Sequence, residues 1–225
     1  MSNAPHASVA LRGPATPPVW STPLIEPLLR TSLSGRQMDL GVRPPVTNAF
    51  AHPNGFAKIA LGVCLRSSVR LFLHVWTDDF SDSDIHNHRW HFASTVIHGR
   101  LTNRQFTVRS ADGPGLIRCR YTPAPEGTRF LLVPVDTADV VALQRSCSTL
   151  EQGDSYSQVS ADFHIAHSST RTVTLMARGQ PVPTSATMLL RADDERLGTS
   201  CVRSLVTLTA DEVGERIKQV LSWVT

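Results

Sequence analysis

Residues 84–99 read DIHNHRWHFASTVIHG, and this stretch decides both the fold and the chemistry that we expect. It carries His86 and His88, two positions apart, and continues into an apolar run that ends at Gly99. In an extended strand, residues two apart point to the same face. The pair can therefore aim both imidazole rings at one point, as a metal site requires.

A third ligand has to come from another part of the chain. The best candidate is His164, within SADFHIAH at 160–167, because a second β-type run, TVTLMAR at 172–178, follows it. Neutral imidazole suits iron, zinc, copper and nickel. We therefore predict that His164 completes a metal site with His86 and His88. An HxH pair on a strand can also face solvent without binding a metal, and that interpretation stays open.

The neighbouring acidic and histidine residues supply alternatives. Asp84 shares the strand parity of the pair, but a triad of Asp84, His86 and His88 ranks lower because three ligands on one strand would strain the coordination geometry. His91 has the opposite parity, and we expect it to face away or to lie on the rim. His167 is a candidate to hold the second ring nitrogen of a ligand. Ordinary sheet residues are expected at His74 and His98.

Short β-type runs separated by turn residues extend outward from this stretch on both sides. They read AKIALGVCL, VRLFLHVW, HFASTVIH, RLTNRQFTV, LIRCRYT, RFLLVPV, DVVALQ, TVTLMAR and ATMLLR. Runs of this length with Gly, Pro, Asp or Ser between them are typical of an antiparallel barrel or sandwich. The spacing lacks the strand–helix alternation of a doubly wound fold. We predict an all-β fold with flanking helices.

The two ends of the chain differ from this β-rich region. The N-terminal segment is rich in Pro, Ala and Ser, so we expect residues 1–22 to be flexible and 23–225 to form a single domain with its core at about 56–191. A short helix is expected at about 23–33, interrupted by Pro27.

The C-terminal segment predicts a helix over about 210–222. Thr209 can cap it, and Glu212 stands three residues later, as a capping box requires. Its apolar residues fall on one stripe, which predicts packing against the outside of the barrel. The stripe consists of Val213, Ile217, Val220 and Leu221.

Composition narrows the possible partners. The 22 basic and 19 acidic residues give a formal net charge of +3, and the basic residues are scattered, so no nucleic-acid partner is expected. Without a run of about 18 apolar residues or a secretory signal, the expectation is a cytoplasmic protein away from membranes, as a monomer or homodimer. The cysteines lie far apart and form no CxxC, which favours free buried thiols over disulfides or a zinc knuckle at Cys64, Cys119, Cys147 and Cys201.

His86, His88 and Gly99 together resemble the first motif of the cupin superfamily. That motif has an HxH pair, a glutamate a few residues later, and then a glycine. His86 and His88 match the pair and Gly99 matches the glycine, whereas Phe92 stands where the glutamate belongs. The resemblance implies a double-stranded β-helix, the cupin or jelly-roll barrel.

The second cupin motif is matched more weakly. It has a glycine and then a histidine that leads into a strand, and Gly153 and His164 match those positions. The family's usual proline–glycine before the histidine is replaced by Ala161 and Asp162. The resemblance covers about 56–191 of the chain.

Cupins with three histidines and no acid resemble the thiol dioxygenases, in which histidines alone bind ferrous iron. The resemblance implies an Fe(II) oxygenase that uses O₂ on a small polar, anionic substrate. Met176 and Arg178 replace a histidine and a tyrosine of that family, and Phe92 replaces its cross-linking cysteine, so cysteine is not the expected substrate. The alternatives are a zinc, nickel or manganese isomerase, lyase or hydrolase, and a non-enzymatic cupin that binds a small ligand.

Beyond the ligands, two residues are candidates for catalytic roles. Tyr156 can hydrogen-bond to bound oxygen or substrate, or it is a half-buried strand tyrosine. Arg178 is the first choice for a cationic group that binds an anionic substrate, ahead of Arg70 and Arg104, although each alone can be a solvated arginine. Trp90 has inward parity and is expected to wall the cavity or fill the core.

Overall fold

The computed structural model describes residues 42–43, 49–64, 69–81, 84–123, 130–135, 139–183, 185–197 and 205–224. Its elements are β1 (Val42–Arg43), β2 (Ala49–His52), β3 (Phe56–Cys64), β4 (Arg70–Trp76), β5 (Phe80–Ser81), β6 (Ile85–His86), β7 (Trp90–His98), β8 (Leu101–Ser110), β9 (Leu116–Pro123), β10 (Phe130–Pro134), β11 (Val140–Leu150), β12 (Ser155–Gln158), β13 (Phe163–Ser168), β14 (Thr172–Pro181), β15 (Thr187–Arg191), β16 (Val206–Thr207) and α1 (Ala210–Val224). The segment 1–22 and the helix predicted at about 23–33 lie outside the described residues.

The strands form two sheets in which all pairings are antiparallel. Sheet A has the order β12-β7-β14-β4-β3-β2-β16, with β1 beside β3. Sheet B has the order β10-β9-β11-β8-β13-β6-β15, with β5 beside β13. Because β9 also pairs with β15, six strands of sheet B follow one another in a closed ring. The prediction of an all-β, double-stranded β-helix barrel is confirmed.

The chain passes from sheet A to sheet B at Gly99, between β7 and β8. Gly99 has a φ of +79°, a backbone conformation that side chains rarely adopt. A Cβ at this position would lie 2.8 Å from Cα of Thr172. Both constraints require glycine, which explains in physical terms why the sequence motif ends with one.

One face of sheet A, which we call the outer face, packs against α1. Ile217 and Val220 of the helix are buried against the strands, as the predicted stripe requires. Thr209 N donates to Glu212 Oε2 at 2.7 Å, and Glu212 N donates to Thr209 Oγ1 at 3.3 Å, which confirms the capping box. The strand residues of this face are apolar: Ile59, Leu61, Leu71, Leu73, Val75, Ile97, Val173 and Leu175.

The opposite face of sheet A, which we call the inner face, faces sheet B. Strand register places Lys58 opposite His74 and His74 opposite Thr174, so these three share the face. A neighbouring row on the same face consists of Phe72, Met176, Ser94 and Tyr156. This face is therefore polar and aromatic, whereas the outer face is aliphatic.

Two further predictions concern the cysteines and membrane-spanning segments. Cys119 is a buried free thiol, as expected, whereas the free thiol of Cys147 is exposed and differs from the prediction of buried thiols; the side chains of Cys64 and Cys201 lie outside the described residues. Within the described ranges, we find no helix with the length and apolar character that crossing a membrane requires.

Candidate metal centre

Three histidines from distant parts of the sequence meet between the two sheets. The metal-ligating atoms of His86, His88 and His164 all lie within 4.8 Å of one another. His88 Nε2 and His164 Nε2 are 2.9 Å apart. His86 is the last residue of β6 and lies directly opposite His164 of β13. The fold thus brings together the three side chains that the sequence predicts as ligands.

The local structure of the HxH pair differs from the expected regular strand. Only His86 belongs to β6, and His88 lies in the connection between β6 and β7. Backbone contacts replace strand pairing there: His88 N donates to the Ser160 carbonyl oxygen at 3.1 Å, and Asn87 N donates to the Thr187 carbonyl oxygen at 3.0 Å. Convergence of the two rings therefore depends on how this connection is held and not on strand alternation alone.

Hydrogen bonds orient two of the three rings. His86 Nδ1 lies 2.9 Å from the backbone carbonyl oxygen of Asp84, and His164 Nδ1 lies 2.9 Å from Asn103 Oδ1. Both oxygens are acceptors, so both Nδ1 atoms donate and both Nε2 atoms remain available as ligands.

Asn103 is a residue that the sequence interpretation missed. It is buried in β8 and separated from His164 by 61 positions, so no local pattern signals its role. His167 was the candidate partner instead, but it is exposed and lies opposite Thr102. Because it stands three positions after His164 on β13, it points to the other side of the strand.

Burial sets the protonation state of the site. It lowers the pKa of His88 and of His164 well below 6.5, and the nearby His86 lowers both further. The two imidazoles are therefore neutral at neutral pH, which is the form that binds metals.

The alternative triad with Asp84 is wrong. The Asp84 side chain is only 3% exposed, and its two oxygens accept hydrogen bonds from Arg196 at 2.8 and 2.9 Å. Within the described residues, the group that could hold a metal contains the three histidines and no carboxylate. The buried ion pair takes Asp84 out of the ligand set.

Residues around the histidines also have defined places. His91 is exposed and accepts a hydrogen bond from Ser160 N at 3.0 Å, so it faces away as expected. Phe92 is buried, with its ring centroid 5.1 Å from that of His88 and 6.0 Å from that of His164. An apolar ring therefore occupies the position where the cupin motif has an acid.

Tyr156 lies behind Phe92. Their ring centroids are 5.9 Å apart in an edge-to-face arrangement, and the strand register places Tyr156 opposite Ser94. Burial raises the pKa of Tyr156 to about 12, so its phenol stays protonated at neutral pH and can donate a hydrogen bond.

Cations gather around Trp90, next to the histidines. The Trp90 ring centroid is 5.9 Å from that of His88, and it lies 4.5 Å from Arg178 Cζ, 5.8 Å from Arg89 Cζ and 5.9 Å from Lys58 Nζ. Lys58 and Arg178 also both lie 4.7 Å from the Phe72 centroid, from opposite sides along the sheet. Arg70 and Arg104, the other predicted arginines, are exposed.

Lys58 was not identified from the sequence, although a lysine inside the apolar run of β3 is a signal of a polar interior. Burial, with a smaller contribution from Arg178, lowers the pKa of Lys58 to about 7. Burial and then Arg70 and Arg89 lower the pKa of Arg178 to about 10. Among the described residues, neither cation forms an ion pair with a carboxylate, and the nearby His74 Nε2 is buried without a hydrogen-bond partner.

No protein-family model and no curated protein sequence matches the chain. Among solved structures, the chain is similar to hydroquinone 1,2-dioxygenase PnpCD in complex with Cd2+ and 4-hydroxybenzonitrile, with a TM-score of 0.32 and 13% identity over 54% of this chain and 62% of that one. It therefore spans less than two thirds of the length of that protein.

A structure reported with the DMSP lyases RdDddP and RnDddQII has a TM-score of 0.33 and 17% identity over 76% of this chain and 80% of that one. At these values, neither likeness supports an argument about the reaction. The two antiparallel sheets and the three converging histidines are features of the chain itself, and they give it an all-β barrel with a group of residues that could hold a metal ion.

Proposed function

We propose that this protein is a non-haem Fe(II)-dependent oxygenase that acts with O₂ on a small polar, anionic substrate. The observation that carries the proposal is the convergence of three imidazoles without a carboxylate in the group. Ferrous iron, when bound, would supply O₂ binding and redox chemistry at coordination positions that the protein leaves open.

The residues fit such an ion. The ligand atoms of His86, His88 and His164 are within 4.8 Å of one another, and the closest pair is 2.9 Å apart, so the three imidazoles could hold one ion. Three protein ligands would leave the remaining coordination positions of such an ion open to ligands from outside the protein.

The cations around Trp90 support an anionic substrate. Arg178 and Lys58 both reach the space above Phe72 without a described carboxylate beside them, and Arg89 adds a third positive charge near Trp90. A substrate carboxylate between Arg178 and Lys58 would pair with charges that otherwise repel each other, and the guanidinium can bind it in a bidentate manner.

Aromatic side chains would keep water from the reacting atoms. Phe92 and Trp90 lie against His88, and Tyr156 lies behind Phe92 with its hydroxyl protonated at neutral pH. In this proposal the Tyr156 hydroxyl donates a hydrogen bond to the substrate.

A metal-dependent lyase or isomerase, with zinc, nickel or manganese, is the second candidate. The observation that favours it is Lys58, whose pKa of about 7 leaves a large fraction of neutral amine at neutral pH. A neutral amine inside the barrel can accept a proton from a substrate carbon or hydroxyl without any redox step.

Metal analysis and an oxygen electrode separate the two candidates. We expect protein purified without a tag or chelator to bind about one metal per chain, and the Fe(II) form to consume O₂ faster when the correct small carboxylate from a panel is added. The zinc form should not turn over, because zinc has no redox chemistry. Turnover of a panel compound by the zinc form under anaerobic conditions would replace the oxygenase by the lyase or isomerase.

The all-histidine ligand set can be tested at Phe92. The change Phe92→Glu puts a carboxylate beside His88 and His164, and we expect it to alter metal preference and lower O₂ consumption. Phe92→Leu is the matched control, since it changes the ring without adding a ligand. Equal metal preference in wild type and Phe92→Glu would show that Phe92 does not face the bound ion.

A further inference from the structure

Contacts on both sides hold the segment that carries two of the three histidines. Strand β6 contains only Ile85 and His86, which is too short to fix its own position by sheet pairing. On its C-terminal side, Thr187 N donates to Asn87 Oδ1 at 2.6 Å. On its N-terminal side, the attachment is the contact between Asp84 and Arg196.

Arg196 binds two carboxylates, those of Asp84 and Asp194, and both contacts are bidentate. Arg196 Nη1 and Nη2 donate to the two Asp84 oxygens at 2.8 and 2.9 Å. Its Nε and Nη2 donate to the two Asp194 oxygens at 2.8 and 2.6 Å. Asp194 therefore holds the planar guanidinium in place for its contact with Asp84. Asp84 is 112 positions away from Arg196 in the sequence.

Asp84 connects this ion pair to a histidine ligand. Its carbonyl oxygen accepts the hydrogen bond from His86 Nδ1 at 2.9 Å, while its carboxylate is held by Arg196. A fixed Asp84 peptide keeps that carbonyl in place, so the His86 ring keeps its proton on Nδ1 and presents Nε2 to the other two histidines.

From these contacts, we infer that Arg196 is a positioning residue: through Asp84 it fixes the tautomer and ring orientation of His86. The effect on metal affinity rests on the proposed metal site, whereas the effect on the His86 ring does not. Outer contacts of this kind change metal affinity by about 10–100-fold when they are removed.

The first measurement needs no metal. In ¹⁵N-histidine NMR spectra of metal-free protein at about pH 8, where imidazoles are neutral, we expect one His86 tautomer with the proton on Nδ1. Arg196→Gln should give a mixture of tautomers, and Arg196→Lys should lie between the two. An unchanged His86 signal in Arg196→Gln would overturn the inference even if the protein proves to be a metal-dependent oxygenase.

The second measurement is Co(II) affinity, by competition with a chromophoric chelator, together with the visible absorption of the bound Co(II). We expect Arg196→Gln to weaken binding about 10–100-fold and to change the spectrum. Arg191→Gln is the matched control, since Arg191 is an exposed arginine in the same part of the chain, paired with Asp193 at 2.9 Å. Equal affinity and an equal spectrum in Arg196→Gln and Arg191→Gln would refute the positioning role.

Arg196→Gln alone removes the guanidinium that neutralises the buried Asp84 carboxylate, which can prevent folding. The double variant Asp84→Asn with Arg196→Gln removes both charges, and we expect it to fold, to bind Co(II) more weakly than wild type and to show mixed His86 tautomers. Wild-type tautomer and affinity in the double variant would overturn the inference. If wild-type protein binds no metal at all, the proposed function fails, while the tautomer comparison still decides the role of Arg196.

Discussion

The outer and inner faces of sheet A are built from alternate residues of the same strands, yet their chemistry is opposite. Leu73 and Leu175 on the outer face are fully enclosed by aliphatic neighbours and by α1. Lys58, His74 and Arg178 on the inner face lack protein partners for their polar atoms among the described residues. The apolar side chains of the outer face pack fully against one another and α1. The inner face has polar groups to which a ligand could bind.

The contrast indicates that stability and binding are assigned to different sides of one sheet. Apolar burial on the outer face stabilises the fold in proportion to the area removed from water. Buried polar groups without partners are unfavourable and are retained where they serve a site. Substitutions on the two faces should therefore separate two measurements, ligand or metal binding and the free energy of unfolding.

The largest expected effect is loss of metal binding at the histidines. His86→Ala, His88→Ala and His164→Ala should each weaken metal binding by more than about 100-fold, because each removes one of three ligands, a stronger change than removing an outer contact. His91→Ala is the control, since this exposed histidine faces away. Metal content after dialysis measures the effect, and full occupancy in His164→Ala would mean that the third ligand has been wrongly assigned.

A substitution on the outer face should change the free energy of unfolding and not the metal affinity. Leu175→Ala removes a side chain that is 1% exposed, and we expect it to lower the free energy of unfolding by about 2–5 kcal/mol. Metal affinity should stay within about twofold of wild type in folded protein, because distant sites act independently. Urea unfolding and Co(II) titration of the same sample compare the two quantities. A large loss of affinity without loss of stability would show that the faces are coupled.

Lys58 should reveal what the inner face contributes to stability. Its pKa is about 7 in the folded protein and 10.5 in the unfolded chain, so between these pH values the unfolded chain binds more protons. Stability should therefore rise with pH across this window, by about 1–2 kcal/mol after allowance for partial exposure. Lys58→Met should be more stable than wild type at pH 7, with a flatter pH dependence in urea unfolding. A parallel pH dependence in both proteins would contradict the lowered pKa.

Local patterns predicted the strands and the three histidines that converge, but not the residues that contact these histidines. The HxH spacing, Gly99 and the β-type runs are short-range signals, and they identified the barrel and the residues of the three-histidine group. Asn103 and Arg196 act on residues 61 and 112 positions away, respectively, so their roles follow only from the folded contacts.

The lower-ranked alternative, a triad with Asp84, fails for the same reason. Strand parity alone placed its carboxylate beside the histidines, but β6 begins only at Ile85 and Arg196 binds the carboxylate elsewhere. Parity arguments hold within a regular strand, and this stretch is mostly a connection held by backbone and side-chain contacts. His88, which lies beyond β6, reached the site through backbone contacts that parity does not describe.

The smallest expected effect on stability comes from the cap at the start of α1, the helix that packs on the outer face. Thr209→Ala removes the hydroxyl that accepts from Glu212 N, and we expect a loss of about 1 kcal/mol in the free energy of unfolding with unchanged Co(II) affinity. Thr207→Ala is the matched control, since Thr207 is an exposed threonine of β16 and is not part of the cap.

The same cap predicts a pH dependence with a definite sign. Hydrogen bonds from the backbone N–H and then the hydroxyl of Thr209 lower the pKa of Glu212 below 4.5, so the ionised carboxylate contributes stability at neutral pH. That contribution is lost as the pH falls through the lowered pKa. The difference between wild type and Thr209→Ala should therefore shrink in acid, while the difference for Leu175→Ala, which involves no titrating group, should not. Urea unfolding at neutral pH and at about pH 2.5, well below the ordinary carboxyl range, tests this, and equal differences at both values would show that Glu212 does not take part in the cap.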